Sequence, residues 1–404
     1  MAEGKVNNVG GNVNGSYILR TCPRRNENVL ATQDSTGKLA VQIWNGSSWG
    51  TVQTFSIDVT TRCRAFDVAY EQTSGNAIVA YRKNSYLNRI YYSVWNGISW
   101  SESTDSGLDL DGDAINWVRL EPNPNSNELV LVTMCISSHV YAAVWNGSTW
   151  ANQQALETVG TNSAFQQGFD VVYTSSYNYA MIAWNEDGDN KIQYRQWFST
   201  ASAWGNEATI PATEITTGND EGYRWIKLAA NPLSTSNEIL IGCYDTEYDI
   251  NMAVWDGSIW DDGNAINYNA TTGISYEYRC FDVSYERSSG RGIVGYASAS
   301  KPYKARYVFW SGASWGTGAA TQYNIKSQPR YVTLYRDKDQ TSNELMLTTD
   351  DVDNDINIQR WTGTVWNLLS EVEKASYYNK ECYAISYSFP GSQYDSVPPA
   401  NISN

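Results

Sequence analysis

The chain has 404 residues, 43 of them acidic and 28 basic, for a formal charge of −15. A surface of that sign repels nucleic acid and anionic lipid, and no run of 18 apolar residues is present, so neither a nucleic-acid partner nor direct membrane insertion is expected. The 17 Trp and 29 Tyr, set against 5 Met, instead describe a strand-prone chain able to fill a large aromatic core.

Residues 1–15 read as a polar tail without the basic-then-apolar form of a secretion signal, which is expected of a soluble mature fragment or a trimmed piece of a longer chain. From Tyr17 onward, short alternating runs broken by Gly, Asn and Ser clusters predict strands and tight turns, and no helical period is found. One string, W-[NDST]-G-x-x-W, punctuates these runs. It spans Trp44 to Trp49, Trp95 to Trp100, Trp145 to Trp150, a looser copy from Trp197 to Trp204, Trp255 to Trp260, Trp310 to Trp315 and Trp361 to Trp366. The copies recur about every 50 to 58 residues, a period of propellers, solenoids or arrays. Four short strands fit into one period, as in residues 62–104, and four antiparallel strands make a propeller blade. Asn-Gly or Asp-Gly would supply the positive φ angles of a hairpin joining the third and fourth strands, with the two indoles clamping it. Trp44, Trp95, Trp145, Trp197, Trp255, Trp310 and Trp361 are therefore structural candidates.

The first strands come in two alternating kinds. Phe66-Asp67-Val68, Phe169-Asp170-Val171 and Phe281-Asp282-Val283 represent one; Val118-Arg119-Leu120, Ile226-Lys227-Leu228 and Val332-Thr333-Leu334 represent the other, each followed by a turn that ends Ser-Asn-Glu. This register places Asp67, Arg119, Asp170, Lys227 and Asp282 at one depth with alternating charge, which predicts a ring of ion pairs between blades, since an unpaired charge there would be costly. Tyr17 to Arg20 begins the first blade in the second style. Cys382 to Tyr387 adds an inner strand of the first style beyond the seventh motif, as a latch beside the N-terminal strand or the start of a further blade. The expected fold is all-β: one seven-bladed β-propeller of four-stranded antiparallel blades over residues 16–388, with an eight-bladed ring or incomplete eighth blade as the alternative and a linker over 389–404.

Six cysteines stand singly, at 22, 63, 135, 243, 280 and 382, without zinc-type Cys-x-x-Cys spacing, and read as buried thiols. A disulfide between Cys22 and Cys382 is one further reading, because the ends of a closed ring must meet. His139 is the single histidine and lacks a nucleophile motif around it, so no cofactor and no catalytic centre are expected. Acidic residues gather in turns. The D-x-D-x-D runs Asp109, Asp111, Asp113 and Asp351, Asp353, Asp355 offer oxygen ligands to Ca²⁺, although neither has the glycine and distal glutamate of an EF-hand loop. Tyr86, Tyr248 and Tyr303 sit in turns where an aromatic ring could stack on a sugar.

The W-[DN]-G-x-x-W hairpin resembles the repeat of the fungal and bacterial fucose-binding lectin propellers. The resemblance implies blades of that type but not their sugar site: the glutamate position is taken by Val41, Tyr92 and Ala142, and the arginine position by Leu30 and Tyr81. The longer pattern F-D-V-x-Y-E-x-x-S-G, followed by W-N-G-x-S-W, resembles large secreted or cell-surface repeat proteins of bacteria and archaea. That implies an extracellular, non-enzymatic module that binds carbohydrate or a surface protein, or else an assembly unit of a surface layer or fibre. Sialidase-like propellers share the hairpin glycine, but Trp44 and its counterparts occupy the place of their box aspartate, and the adjacent pairs Tyr70-Glu71 and Tyr285-Glu286 point to opposite faces of a strand.

Overall fold

The computed structural model describes residues 13–34, 36–57, 63–110, 112–161, 163–176, 178–186, 191–211, 222–260, 270–321, 323–373, 381–387 and 395–397. Every regular element among them is a β-strand. The strands form seven antiparallel sheets, each built from consecutive strands in chain order, and one two-stranded sheet. The fourth sheet gains a fifth strand, Ala208–Thr209, which pairs with Ile192–Phe198 beside the short Ala203–Trp204. Two compact units divide the chain: Met1–Gly160 with Asn379–Asn404 hold sheets one to three, and Thr161–Tyr378 hold sheets four to seven.

Each sheet is a meander that starts on a buried strand. The first strands of sheets two, four and six, Phe66–Tyr70, Phe169–Tyr173 and Phe281–Tyr285, are buried along their whole length. Within a unit, neighbouring sheets pack face to face through such strands, the packing of propeller blades. In the second unit, Met181, Ala183 and Ile192 of the fourth sheet mesh with Ile226, Ile241 and Cys243 of the fifth. The fifth and sixth sheets approach closely at Gly242, where an added Cβ would lie 2.8 Å from the Phe281 ring and 2.9 Å from Val283.

The alternation of strand types resolves into pairs. Asp67, Asp170 and Asp282 each accept a hydrogen bond from the backbone N–H of a leucine in the following sheet: Leu120 at 3.0 Å, Leu228 at 3.1 Å and Leu334 at 2.9 Å. The charge partners differ. Asp67 is approached by Arg119 (3.4 Å), Arg20 (3.6 Å) and Arg64 (3.8 Å), and Asp170 by Lys227 (2.9 Å). Burial pushes the Asp67 carboxyl up, and the guanidiniums of Arg64, Arg20 and Arg119 more than offset it, holding it below the usual carboxylate range. Asp282 departs from the expected ring. Thr333 stands where the other pairs carry Arg119 or Lys227, and the cation comes from Arg279 of its own sheet at 3.6 Å, which also donates to the Thr333 hydroxyl. What recurs is therefore the carboxylate-to-leucine bond rather than an unbroken charge ring.

The turn motifs complete the pairs. Trp145 donates its indole N–H to Glu71 of the preceding sheet at 2.7 Å, and Trp361 does so to Glu286 at 2.6 Å. In the fourth and fifth sheets Thr174 replaces the glutamate, and Trp255 donates to the Tyr179 hydroxyl instead. The asparagine of Ser-Asn-Glu accepts from the neighbouring turn: Asn127 from the N–H groups of Thr73 and Ser74, Asn343 from those of Ser288 and Ser289.

All seven Trp pairs pack within their hairpins, the rings tilted by 46–62° with centroids 5.0–5.7 Å apart. The turn differs from a two-residue Asn-Gly hairpin in one respect. In the six copies that carry glycine, only the glycine takes a positive φ, as at Gly46 (91°), Gly97 (92°) and Gly257 (107°). The residue before it instead turns its side-chain oxygen onto the loop N–H groups, as Asn45 does to Ser47 and Ser48 and Ser311 does to Ala313 and Ser314. Asn, Asp, Ser and Thr all supply that acceptor, which explains the choice at this position.

At the C-terminus, Ala384–Ser386 pairs with Asp395–Val397 and packs against the first strand, Val13–Thr21, with the Thr21 hydroxyl bonded to Ser386 and to the Tyr387 carbonyl. It sits beside the N-terminal strand, as a latch would, yet it forms its own two-stranded sheet rather than extending the first. The Cys22–Cys382 disulfide is not formed. Both are buried and outside any disulfide: Cys22 faces the Gly75 carbonyl, and Cys382 packs with Tyr17, Leu19 and Leu30.

Candidate functional site

The meander gives each sheet two unlike ends. One carries the hairpin between the first and second strands and the Trp hairpin; the other carries the hairpin between the second and third strands and the connector to the next sheet. Within each unit these ends are aligned, because the first hairpins touch one another. Arg25 donates to the Gly75 carbonyl and Thr73 to Asn127 in the first unit, while Ser175 meets Asn231, Asn231 meets Gly290 and Ser288 meets Asn343 in the second. The described tyrosine and D-x-D-x-D candidates fall at the second-hairpin end of their sheets.

Tyr248 is the most informative of them. The second hairpins of sheets one, five and seven share a device: an aspartate ends the second strand and accepts from the N–H groups two and four residues on. Asp34 holds Thr36 and Lys38, Asp245 holds Glu247 and Asp249, and Asp351 holds Asp353 and Asp355. The residue just before the fourth position has a positive φ in every case. Gly37 (75°) and Asn354 (68°) suit it, whereas Tyr248 (69°) does not, since a bulky side chain in the left-handed region is strained. Tyr248 is nonetheless exposed and lies almost parallel to Tyr276 of the next connector, with centroids 6.1 Å apart at 17°. Arg224 lies over the other ring, 5.4 Å from the Tyr276 centroid, and Trp225 fixes the connector by donating to the Tyr276 carbonyl at 2.8 Å. Beneath the turn, burial pushes Asp245 up to about 6, against the hydrogen bonds it accepts from the Asp249 and Glu247 N–H groups and from Asn251.

Tyr86 lies exposed at the equivalent hairpin of the second sheet and stacks on Tyr91 at 6.0 Å, beside Lys83 over the Tyr91 ring and an Arg89–Asp105 ion pair of 2.8 Å. Tyr303 is exposed at the second hairpin of the sixth sheet, its carbonyl accepting from Ile325. The fold thus puts two of these three tyrosines into aromatic pairs. Tyr276 and Arg224 escaped the sequence reading because a connector and a strand entry carry no periodic signal.

The calcium expectation is not supported by the geometry. Asp351 spends its carboxylate on Asp353, Asp355 and Ser327 N–H groups, Asp355 pairs with Lys326 at 2.9 Å, and Asp353 is exposed. Asp111 lies outside the described residues; Asp109 is exposed, its backbone tied to Gln153. Asp113 instead joins Cys135 and His139 in the one group of three potential metal ligands among the described residues. The fucose-lectin site positions are filled by core: Val41, Ala142, Leu30 and Tyr81 are buried, and Tyr92 packs edge-on to Trp145 and Trp150.

No family model matches the chain, and no curated protein matches it. Among solved structures it is similar to the BP39L lectin of Burkholderia pseudomallei, with a TM-score of 0.60 at 11% identity over 88% of this chain and 98% of that one. Weaker similarities are to the Aleuria aurantia lectin, described as a six-bladed β-propeller with a novel fucose recognition mode (TM-score 0.42, 14% identity, 78% and 98% covered), and to the SapL1 lectin in complex with α-methyl fucoside (0.43, 15%, 77% and 97%). At such identities the likeness to the Burkholderia lectin is one of fold.

Proposed function

We propose that the chain is a non-enzymatic carbohydrate-binding module, built as one closed seven-bladed propeller over residues 16–388 and working outside the cell as part of a larger surface protein. The observation that carries this reading is Tyr248. Backbone strain that the fold could relieve with glycine is retained to hold an exposed ring parallel to a second one, and strain of this kind concentrates at ligand sites. A sugar presents an apolar face to such a ring and hydroxyls to neighbouring polar groups. Arg224 lies over the Tyr276 ring of the pair, and Glu247 and Glu277 adjoin the two rings along the chain. The shared fold with a lectin supports the same class of ligand. Because the fucose-site positions are packed with core, recognition here uses the second-hairpin end rather than that family's pocket.

A glycan array tests the proposal. The protein should bind a defined set of glycans, and Tyr248→Gly, which suits the turn conformation and leaves the fold intact, should abolish binding. A blank array, ordered self-assembly without glycan binding, or hydrolysis of a glycoside by the purified protein would overturn it.

A further inference from the structure

We propose that Asp113, Cys135 and His139 form a binding site for a divalent first-row metal ion, best suited to Zn²⁺. One carboxylate oxygen, one thiol sulfur and one imidazole nitrogen from these residues lie within 4.8 Å of one another. Zinc sits about 2.3 Å from sulfur and about 2.0–2.2 Å from nitrogen or oxygen, so tetrahedral ligands are about 3.3–3.8 Å apart, and small side-chain rotations bring these three to that spacing. The donor set is mixed: thiolate and imidazole favour a borderline-soft ion over Ca²⁺ or Mg²⁺, which prefer oxygen alone.

The place of the site in the repeat strengthens the case. Cys135 ends the second strand of the third sheet, where sheets one, five and seven have Asp34, Asp245 and Asp351. His139 stands where they have Lys38, Asp249 and Asp355, and Ser138 takes the positive φ (64°) of that turn. The third sheet thus replaces the capping aspartate with cysteine and places the only histidine of the chain four residues later. Hairpin closure here uses the backbone, with Cys135 N–H donating to the His139 carbonyl at 3.0 Å and Ser138 N–H to that of Cys135 at 2.9 Å. Asp113 comes from the connector entering the same sheet, where it is oriented by a hydrogen bond from the Ser137 hydroxyl. A bound ion would staple connector to hairpin. Cys135 is buried while Asp113 and His139 are half-buried, so the ion is reached from the solvent side and keeps a fourth position for water.

Cobalt(II) reports on the site directly, since a thiolate ligand gives it a near-ultraviolet charge-transfer band and tetrahedral coordination gives intense visible bands. The intact protein should bind one Co²⁺ with both signatures and release it to one equivalent of Zn²⁺. Cys135→Ser should remove the charge-transfer band, and His139→Gln should weaken Zn²⁺ binding by more than about 100-fold, beyond the roughly 10- to 100-fold cost of losing an outer-sphere partner. Cys63→Ser, at a buried cysteine elsewhere in the same unit, should change neither. Absence of the band in the intact protein, or a band that survives both Cys135→Ser and His139→Gln, overturns the proposal. If Cys135→Ser fails to fold, the intact protein and the half-buried His139 variant still decide it.

Discussion

Replacing Glu71 tests whether the sheets are locked in pairs by their turn motifs. The Glu71 side chain is buried and accepts from the Trp145 indole at 2.7 Å, from the Ser74 hydroxyl and from Asn76 at 3.1 Å. In Glu71→Ala, Ser74 and Asn76 lie in an exposed turn and can turn to water, but the Trp145 indole, on a side chain only 4% exposed, keeps a buried donor without a partner. That costs about 1–3 kcal/mol, and loss of a charge-assisted bond puts the total near the upper end, about 3 kcal/mol. Glu71→Gln retains the acceptor and should lose about 1 kcal/mol. Urea unfolding followed by circular dichroism would read both as shifts in midpoint at constant slope. A double-mutant cycle with Trp145→Phe isolates the contact and should give a coupling of about 1–2 kcal/mol. Additivity within about 0.3 kcal/mol would refute the reasoning, and Glu286 with Trp361 offers an independent repeat.

Gly242→Ala should destabilise the second unit by about 1–3 kcal/mol, because its Cβ would press on Phe281 and Val283 of the sixth sheet; a thermal melt unchanged from the parent would contradict the close approach. Burial raises the folded-state value of Asp245 to about 6, above its ordinary 3.8, so the protonated group contributes stability that is fully present below 3.8 and is lost as pH rises through about 6. The stability of the parent relative to Asp245→Asn should therefore fall across that interval, with a slope of up to about 1.4 kcal/mol per pH step of one, and a difference flat with pH would remove the burial argument. Tyr248→Gly should raise stability by up to about 1 kcal/mol by relieving the positive φ, while removing glycan binding; a loss of stability would mean that Tyr248 is held by packing rather than by function.

Much of this architecture could be read from the chain. The Trp strings mark the third hairpin of every sheet, and the alternating Asp and Arg or Lys positions do lie on buried first strands, because a repeat must satisfy the same packing again at each interface. The details that could not be read depend on contacts across sheets. That Glu71 accepts the indole N–H of a tryptophan 74 positions later is set by register between sheets and leaves no local pattern. The two candidate sites were legible only in part for the same reason. Tyr248 and His139 are visible once the second hairpins are superimposed on Asp34-x-x-Gly37-Lys38, but Tyr276, Arg224 and Asp113 arrive from connectors and strand entries whose placement only the folded sheets define.

On the proposed reading, a sugar is held against the tyrosine pair at the second-hairpin end of the fifth sheet. A crystal structure of the protein with the strongest glycan from the array tests this most directly. A pyranose ring should be found stacked on Tyr248, with a hydroxyl in hydrogen-bond reach of Arg224. A glycan bound at the Trp-hairpin end, or none bound at a concentration that saturates the array signal, would contradict it.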